Sequence, residues 1–145
     1  MATDRRAEVT WNGDLTSGSG TIERVDSGAF GPLDVSWPAR AEDVSVGKTS
    51  PEELIAAAHA SCFSMAFAGG LAKAGHPPER LSTSATVTFV PGTGITKIAL
   101  AVRAVVPGMA AAAFAEAAEA AKVGCPVSKA LAAVPEITLD AQLEG

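Results

Sequence analysis

The chain has 145 residues, 48% of them hydrophobic, and a formal net charge of −5. This length and composition predict a single domain over residues 1–145 with one packed core. The acidic balance, with a pI near 4.9, argues against nucleic acid and against an anionic membrane surface as partners. No apolar stretch follows the basic residues near the N-terminus, so we expect a cytoplasmic protein.

The two cysteines, Cys62 and Cys125, lie far apart in the sequence and form neither a CxxC motif nor a Cys/His metal-binding pattern. Two cysteines are also too few for the disulfide framework of a small secreted domain. In a reducing compartment, such a pair is more often catalytic or inert than structural. The sequence predicts no metal site and no bound cofactor.

The first third of the chain has short alternating runs separated by turn residues. Arg6–Trp11 and Gly20–Val25 are predicted to be two strands of a meander, and Leu33–Trp37 a third strand. A polar loop that carries Arg40 is expected next, running through Ala41 to Thr49.

Ser50-Pro51-Glu52-Glu53 is the clearest local signal in the sequence. It combines an N-cap serine, a proline at the first helical position and a glutamate that completes a capping box. The helix is predicted to continue through Phe67 and to end at Gly75. Its residues are apolar nearly all round, which predicts a long, buried central helix.

The second half of the chain alternates strands and helices. Thr86–Val90 and Ile95–Val106 are predicted to form a hairpin, and Ile137–Leu143 a half-buried final strand. Between them, Met109–Lys122 is predicted to be a helix that breaks and restarts from Cys125 to about Ala133. The order βββ-α-ββ-α-β predicts an α+β fold with mostly antiparallel pairing and a second, broken helix.

Both cysteines have alternative interpretations. Cys62 lies near the middle of the first helix, beyond the reach of the helix dipole, and burial disfavours its thiolate unless a cation lies nearby. It is therefore either an inert core residue or a nucleophile that another group ionises. Cys125 begins the restarted helix, where it is either a small N-cap residue or a stabilised thiolate.

Three further side chains are candidates for a site. Arg40 follows a Trp-Pro pair that suits an ordered segment, although a lone arginine is usually solvated. Glu53 complements the helix N-terminus, which leaves Glu52 for another role. His59 precedes Cys62 by one helical turn and is close enough to act as its base, but we favour a role that does not involve the thiol.

Two long motifs resemble those of a known family. Residues 49–66, TSPEELIAAAHASCFSMA, resemble the first cysteine motif of the OsmC/Ohr family, and residues 124–128, GCPVS, resemble the second. His59 places the chain nearer the OsmC branch than the Ohr branch. The resemblance spans nearly the whole chain, since it extends to Trp11–Asp14, Ile95–Leu100, Val106–Gly108 and Glu136–Asp140.

The resemblance implies an OsmC-like fold, an intertwined homodimer and a thiol-dependent peroxidase that reduces organic hydroperoxides to alcohols. It implies that Cys62 is the peroxidatic cysteine, which forms a sulfenic acid, and that Cys125 resolves it as a Cys62–Cys125 disulfide. It further implies that Arg40 and Glu52 activate the thiol. The implied reductant is a dithiol such as dihydrolipoamide, free or carried on a lipoylated protein.

The spacing of Glu52 and Cys62 bears on the assembly. They are ten helical positions apart, which is roughly 15 Å along the helix axis. Either Arg40 spans much of this distance, or Glu52 reaches the Cys62 of a second subunit. A pocket lined by alanine, phenylalanine and methionine is expected to suit an organic hydroperoxide better than hydrogen peroxide.

Two other functions are compatible with the same residues. A non-catalytic dimeric redox sensor would form the disulfide without turnover. A cysteine hydrolase or transferase would use Cys62 with His59, pass through an acyl-enzyme and function without Cys125.

Overall fold

The chain has two compact units. The computed structural model describes residues 1–42 and 47–145, and the units are Met1–Leu54 and Ile55–Gly145. Part of the predicted loop from Ala41 to Thr49 therefore lies outside the described residues. The assignment of residues 1–145 to a single domain stays a prediction.

The first unit contains an antiparallel sheet of three strands in the order β1-β2-β3. These are β1 (Ala7–Asn12), β2 (Ser19–Val25) and β3 (Leu33–Val35). The turn after β1 contains Gly13 at a φ of 88°, a conformation that favours glycine. The first two predicted strands are confirmed, whereas the third is shorter than expected.

A short helix, α1 (Trp37–Ala41), follows β3. The Ser36 hydroxyl oxygen accepts a hydrogen bond from the Ala39 backbone N–H at 3.2 Å, which caps the helix. The prediction that the strand continues through Trp37 and that Arg40 lies in a loop is therefore wrong. Ser36 and the proline two residues later form the cap-and-proline signal of a helix start, which the strand pattern obscured.

The long helix α2 (Pro51–Lys73) begins where the capping signal predicts. The Ser50 hydroxyl oxygen accepts from the Glu53 backbone N–H at 3.2 Å, and the Glu53 carboxylate accepts from the Thr49 hydroxyl at 2.9 Å. Beyond its last turn, Gly75 has a φ of 86°, as expected for a helix C-terminus. α2 starts in the first unit and continues in the second.

One face of α2 is buried in this chain, although burial all round was expected. Its buried residues recur at helical spacing, whereas Met65, on another face, is 74% exposed. By length and composition alone α2 could cross a membrane, and 22% of its most apolar window is buried. Its phenylalanines nevertheless pack into the core of the second unit. An apolar composition does not distinguish burial within the chain from burial against something else.

The second unit contains a sheet in the order β4-β5-β6, formed by Arg80–Val90, Gly94–Val105 and Glu136–Leu143. β4 and β5 form the predicted antiparallel hairpin, whereas β6 pairs with β5 in parallel. Alternation predicts a strand but not its direction. The parallel direction follows from the helical crossover that connects the two strands.

Two helices lie between β5 and β6: α3 (Ala111–Gly124) and α4 (Pro126–Ala130). Their break at Cys125 is as predicted. Phe67 on α2 lies between two other rings, with its centroid 5.5 Å from that of Phe63 and 5.4 Å from that of Phe114 on α3. These rings form the centre of a core that also contains alternate residues of β5.

Candidate active site

Arg40 and Glu52 form a close ion pair in the first unit. The Arg40 Nε lies 3.1 Å and 3.3 Å from the two carboxylate oxygens of Glu52, and one terminal nitrogen lies 3.0 Å from Oε1. The Glu52 side chain is 9% exposed and that of Arg40 is 32% exposed. A guanidinium held at several points by a buried carboxylate has a fixed orientation and keeps its positive charge.

An apolar pocket of about 300 Å³ adjoins this ion pair within the first unit. Arg40 is a cation in its wall, and the Arg40 Cζ lies 6.0 Å from the centroid of the Trp37 ring. The other walls differ from the expected alanine, phenylalanine and methionine. They include Val9, Trp11, Leu15, Ile22, Val35 and Leu54.

Cys62 and Cys125 are neighbours in the second unit. Both are free thiols. Although they are distant in sequence, Cys62 packs against the core cluster that contains Cys125, and each affects the pKa of the other. Cys125 is fully buried, whereas Cys62 is partly accessible. The break between α3 and α4 brings Cys125 to the core against which Cys62, in the middle of α2, packs.

The environment of Cys62 within its own unit favours the thiol. Burial raises its pKa above the ordinary value, and the neighbouring Cys125 raises it further, while the Val127 backbone N–H acts in the opposite direction. Since the nucleophile in peroxide chemistry is the thiolate, a further positive charge is needed to activate Cys62. This agrees with the position of Cys62 beyond the first turn of α2.

The environment of Cys125 favours the thiolate. Burial raises the pKa of Cys125, but hydrogen-bond donors on α4 and α2 outweigh this effect and the net pKa is lowered. These donors are the backbone N–H and hydroxyl of Ser128, the Cys62 thiol and the Val127 N–H. The side chain makes no capping hydrogen bond as a thiol, so these donors act mainly on the charged form.

His59 does not pair with Cys62. Its Nε2 lies 2.7 Å from the Ser128 hydroxyl oxygen on α4, and both side chains are buried. Burial lowers the pKa of His59, so the imidazole is held neutral. This contact gives the cysteine hydrolase interpretation no support, because the proposed base is engaged elsewhere.

The four predicted site residues thus form two pairs, Arg40 with Glu52 and Cys62 with Cys125, in different units. Across the described ranges, 1–42 and 47–145, there is no group of three or more histidine, cysteine or acidic side chains that could hold a metal ion. Within its own unit, the cysteine pair offers thiol chemistry, and the other pair offers a fixed guanidinium.

Comparison with known proteins identifies the family. Residues 43–140 match the family model described as "OsmC-like protein". The chain is also 42% identical over 147 aligned residues to the peroxiredoxin OsmC of Escherichia coli K12, with 99% of each chain covered. The chain belongs to the OsmC-like family. The resemblance of its two cysteine motifs is therefore confirmed.

Solved structures of OsmC-like proteins share the fold. A Vibrio cholerae OsmC-like protein of unknown function superposes with a TM-score of 0.73 at 21% identity, covering 97% of this chain and 100% of that one. An organic hydroperoxide resistance protein OsmC from Legionella pneumophila gives 0.67 at 22% identity, covering 94% and 96%. At these identities the likeness confirms the α+β OsmC-like fold.

Two features of the candidate site were missed from the sequence. Ser128 lies inside the second cysteine motif, and its place three residues after Cys125 in a predicted helix start was a usable signal. Trp37 and Trp11, in the pocket beside Arg40, come from separate elements. No local pattern brings those two rings together.

Proposed function

We propose that this OsmC-like protein is a cysteine-dependent peroxidase that reduces organic hydroperoxides to alcohols. Cys62 attacks the peroxide and becomes a sulfenic acid, Cys125 condenses with it, and the resulting disulfide is reduced by a dithiol such as dihydrolipoamide. The observation that carries the proposal is that two free thiols, distant in sequence, come together at one core cluster. The peroxiredoxin name of a relative 42% identical over nearly the whole chain supports it.

Activation of Cys62 is assigned to Arg40, with Glu52 as the residue that fixes the guanidinium. The groups around Cys62 in its own unit leave its pKa raised, so a cation from elsewhere is required. Arg40 is held through three short contacts by a largely buried carboxylate. Such a guanidinium has a fixed orientation and stabilises a nearby thiolate through charge-assisted hydrogen bonds.

The preference for an organic peroxide is inferred from the surroundings of Arg40. The pocket beside it has two tryptophans and several aliphatic side chains in its walls. An apolar cavity with one fixed charge suits a molecule that has a polar reacting end and a hydrocarbon tail. Hydrogen peroxide has no such tail and gains nothing from the walls.

We also propose that the protein is a homodimer. The exposed side of α2 is formed largely by small and apolar residues, including Met65 at 74% exposure. Apolar surface of this kind on a helix is stabilised when it is covered. The family resemblance implies that a second copy of the chain covers this surface. The cytoplasmic location expected from the sequence stays a prediction.

The decisive experiment is steady-state consumption of cumene hydroperoxide with dihydrolipoamide, using hydrogen peroxide as the comparison substrate. Wild type is expected to turn over many times and to favour the organic peroxide. Cys62→Ser is expected to be inactive, and Cys125→Ser to stop after one equivalent with a sulfenic acid at Cys62. Stoichiometric oxidation of wild type without turnover would support the redox sensor instead.

A matched pair of arginine variants tests the activating residue. Lysine keeps the positive charge but lacks the planar guanidinium and its several N–H donors. Arg40→Lys is therefore expected to slow Cys62 oxidation about tenfold to a hundredfold. The control is Arg24→Lys, since Arg24 makes a similar pair with Glu8 at the surface. Equal rates in the two variants would remove Arg40 from the mechanism.

A further inference from the structure

His59 and Ser128 form a buried polar pair that the peroxidase chemistry above does not use. The histidine lies on α2 and the serine on α4, with 2.7 Å between Nε2 and the hydroxyl oxygen. The imidazole is fully buried and the serine is 9% exposed. Polar groups buried in an apolar core cost free energy unless they are hydrogen-bonded. This contact therefore fixes the serine side chain firmly.

Ser128 also lies one helical turn from Cys125. Cys125 is the N-cap of α4, and Ser128 is the third residue of that helix. Residues three apart at a helix start are neighbours on one face, so the serine side chain can approach that of Cys125. The Ser128 hydroxyl and backbone N–H both lower the pKa of Cys125. The imidazole thus holds this hydroxyl one helical turn from the N-cap Cys125.

The hydrogen-bond direction follows from the other ring nitrogen. Within the described part of the chain, His59 Nδ1 is buried and has no hydrogen-bond partner. A hydrogen on Nδ1 would be a buried donor without an acceptor, which is rarer than an unpaired buried acceptor. We therefore assign the hydrogen to Nε2, from which it is donated to the Ser128 oxygen. The hydroxyl hydrogen of Ser128 is then free to point at sulfur.

We propose that His59 is a positioning residue for disulfide closure: it holds Ser128 so that the serine hydroxyl donates a hydrogen bond to the Cys125 sulfur. The role in closure rests on the proposed function. In that step, the Cys125 thiolate attacks the sulfenic sulfur of Cys62. The S–S bond forms as the S–O bond breaks, and the departing hydroxide takes up the proton that Cys125 released and leaves as water.

The electrons in this step balance without any further reactant. The Cys125 sulfur is oxidised by the sulfenic acid of Cys62, which is itself reduced to the disulfide level. Ser128 stabilises the negative charge on the attacking sulfur before the bond forms. His59 does not touch the reacting atoms and acts only through the serine.

The first test does not require peroxidase activity. In a Cys62→Ser background, Cys125 is the single thiol, and the ultraviolet absorbance of its thiolate is titrated against pH. Ser128→Ala and His59→Leu are each expected to raise the pKa of Cys125, whereas His59→Gln, which keeps an N–H donor, is expected to restore it. Ser64→Ala, which removes a hydroxyl elsewhere on α2, is the control and is expected to change nothing.

The second test measures closure itself in the protein with both cysteines. After one equivalent of cumene hydroperoxide, the sulfenic and disulfide forms are quenched and counted by mass spectrometry. Ser128→Ala is expected to close the disulfide at least about tenfold more slowly than wild type, as expected for loss of one hydrogen bond to a charged group. His59→Gln is expected to close faster than His59→Leu.

The two proposals fail in different ways. If wild type forms no sulfenic acid but the thiolate titration responds as expected, the peroxidase proposal and the role in closure fail while the contact with sulfur stands. If wild type turns over but Ser128→Ala leaves both the titration and the closure rate unchanged in a folded protein, the inference about His59 and Ser128 is overturned.

Discussion

At the scale of single residues, His59 has a role that does not involve the Cys62 thiol, as expected from the sequence. One helical turn from Cys62, it resembles a catalytic base, yet its hydrogen bond goes to a serine on another element. Spacing along a helix shows which residues share a face, but it does not show which element covers that face. The partner of a buried polar group is a property of the tertiary structure.

Burial of this histidine predicts a pH dependence of stability. Because burial lowers the pKa of His59, the unfolded chain binds a proton near pH 6.5 that the folded chain binds only at lower pH. The stability is therefore fully present above about pH 6.5 and is lost as the pH falls toward the folded pKa. We expect the free energy of unfolding to fall between about pH 7 and pH 5.5, with a slope of at most about 1.4 kcal/mol per pH unit for one proton.

Urea unfolding at a fixed protein concentration measures this dependence. His59→Gln is expected to flatten the curve in this window, whereas His76→Gln, at the other histidine of the chain, is expected to leave it unchanged. The window ends above the range in which surface carboxylates titrate. An unaltered slope in His59→Gln would show that another group carries the dependence.

The residue pairs of the site were foreseen to different degrees. The roles of Cys62, Cys125, Arg40 and Glu52 come from the family resemblance and stay predictions. The contact between Arg40 and Glu52 was expected from that resemblance and is present. Its burial, and the tryptophan beside it, depend on packing that a single sequence does not display.

At the scale of elements, capping residues carried most of the predictive information. Ser50 and the following proline located the start of α2, and glycine located its end. The same signal at Ser36 was overlooked because a strand pattern ran into it. The parallel direction of β6 was not predictable from its alternation. Successive side chains of a strand point to opposite faces of the sheet whether the strand runs parallel or antiparallel to its neighbour.

The ring cluster predicts a large effect of one core substitution. Phe67 is fully buried and contacts aromatic rings on two helices. Phe67→Ala is expected to lower the free energy of unfolding by about 3–5 kcal/mol, because it leaves a cavity between the helices. Phe30→Ala, at a ring that is 43% exposed, is expected to cost less than about 1 kcal/mol. Chemical unfolding followed by circular dichroism compares the two, and similar losses would argue against this packing.

At the scale of the whole molecule, the exposed apolar side of α2 predicts self-association. Light scattering at micromolar concentration is expected to give the mass of a dimer. Met65→Glu would place a charge on the covered face and is expected to shift the population toward monomer, because burying an unpaired charge is costly. Val90→Glu, at an exposed apolar residue outside α2, is the control. A folded wild-type monomer under these conditions would contradict the dimer.

The adjacency of Cys62 and Cys125 has a consequence for durability. A bond between them would close a ring of about 60 residues that contains the β4–β5 hairpin and all of α3. A covalent ring of this length restricts the unfolded chain and stabilises the fold by about 4 kcal/mol in the chain-entropy account. Under the proposed function, oxidation by peroxide would thus convert the protein into its more stable, disulfide-bonded form. The reduced form, waiting for substrate, would be the one most easily lost to heat or proteolysis.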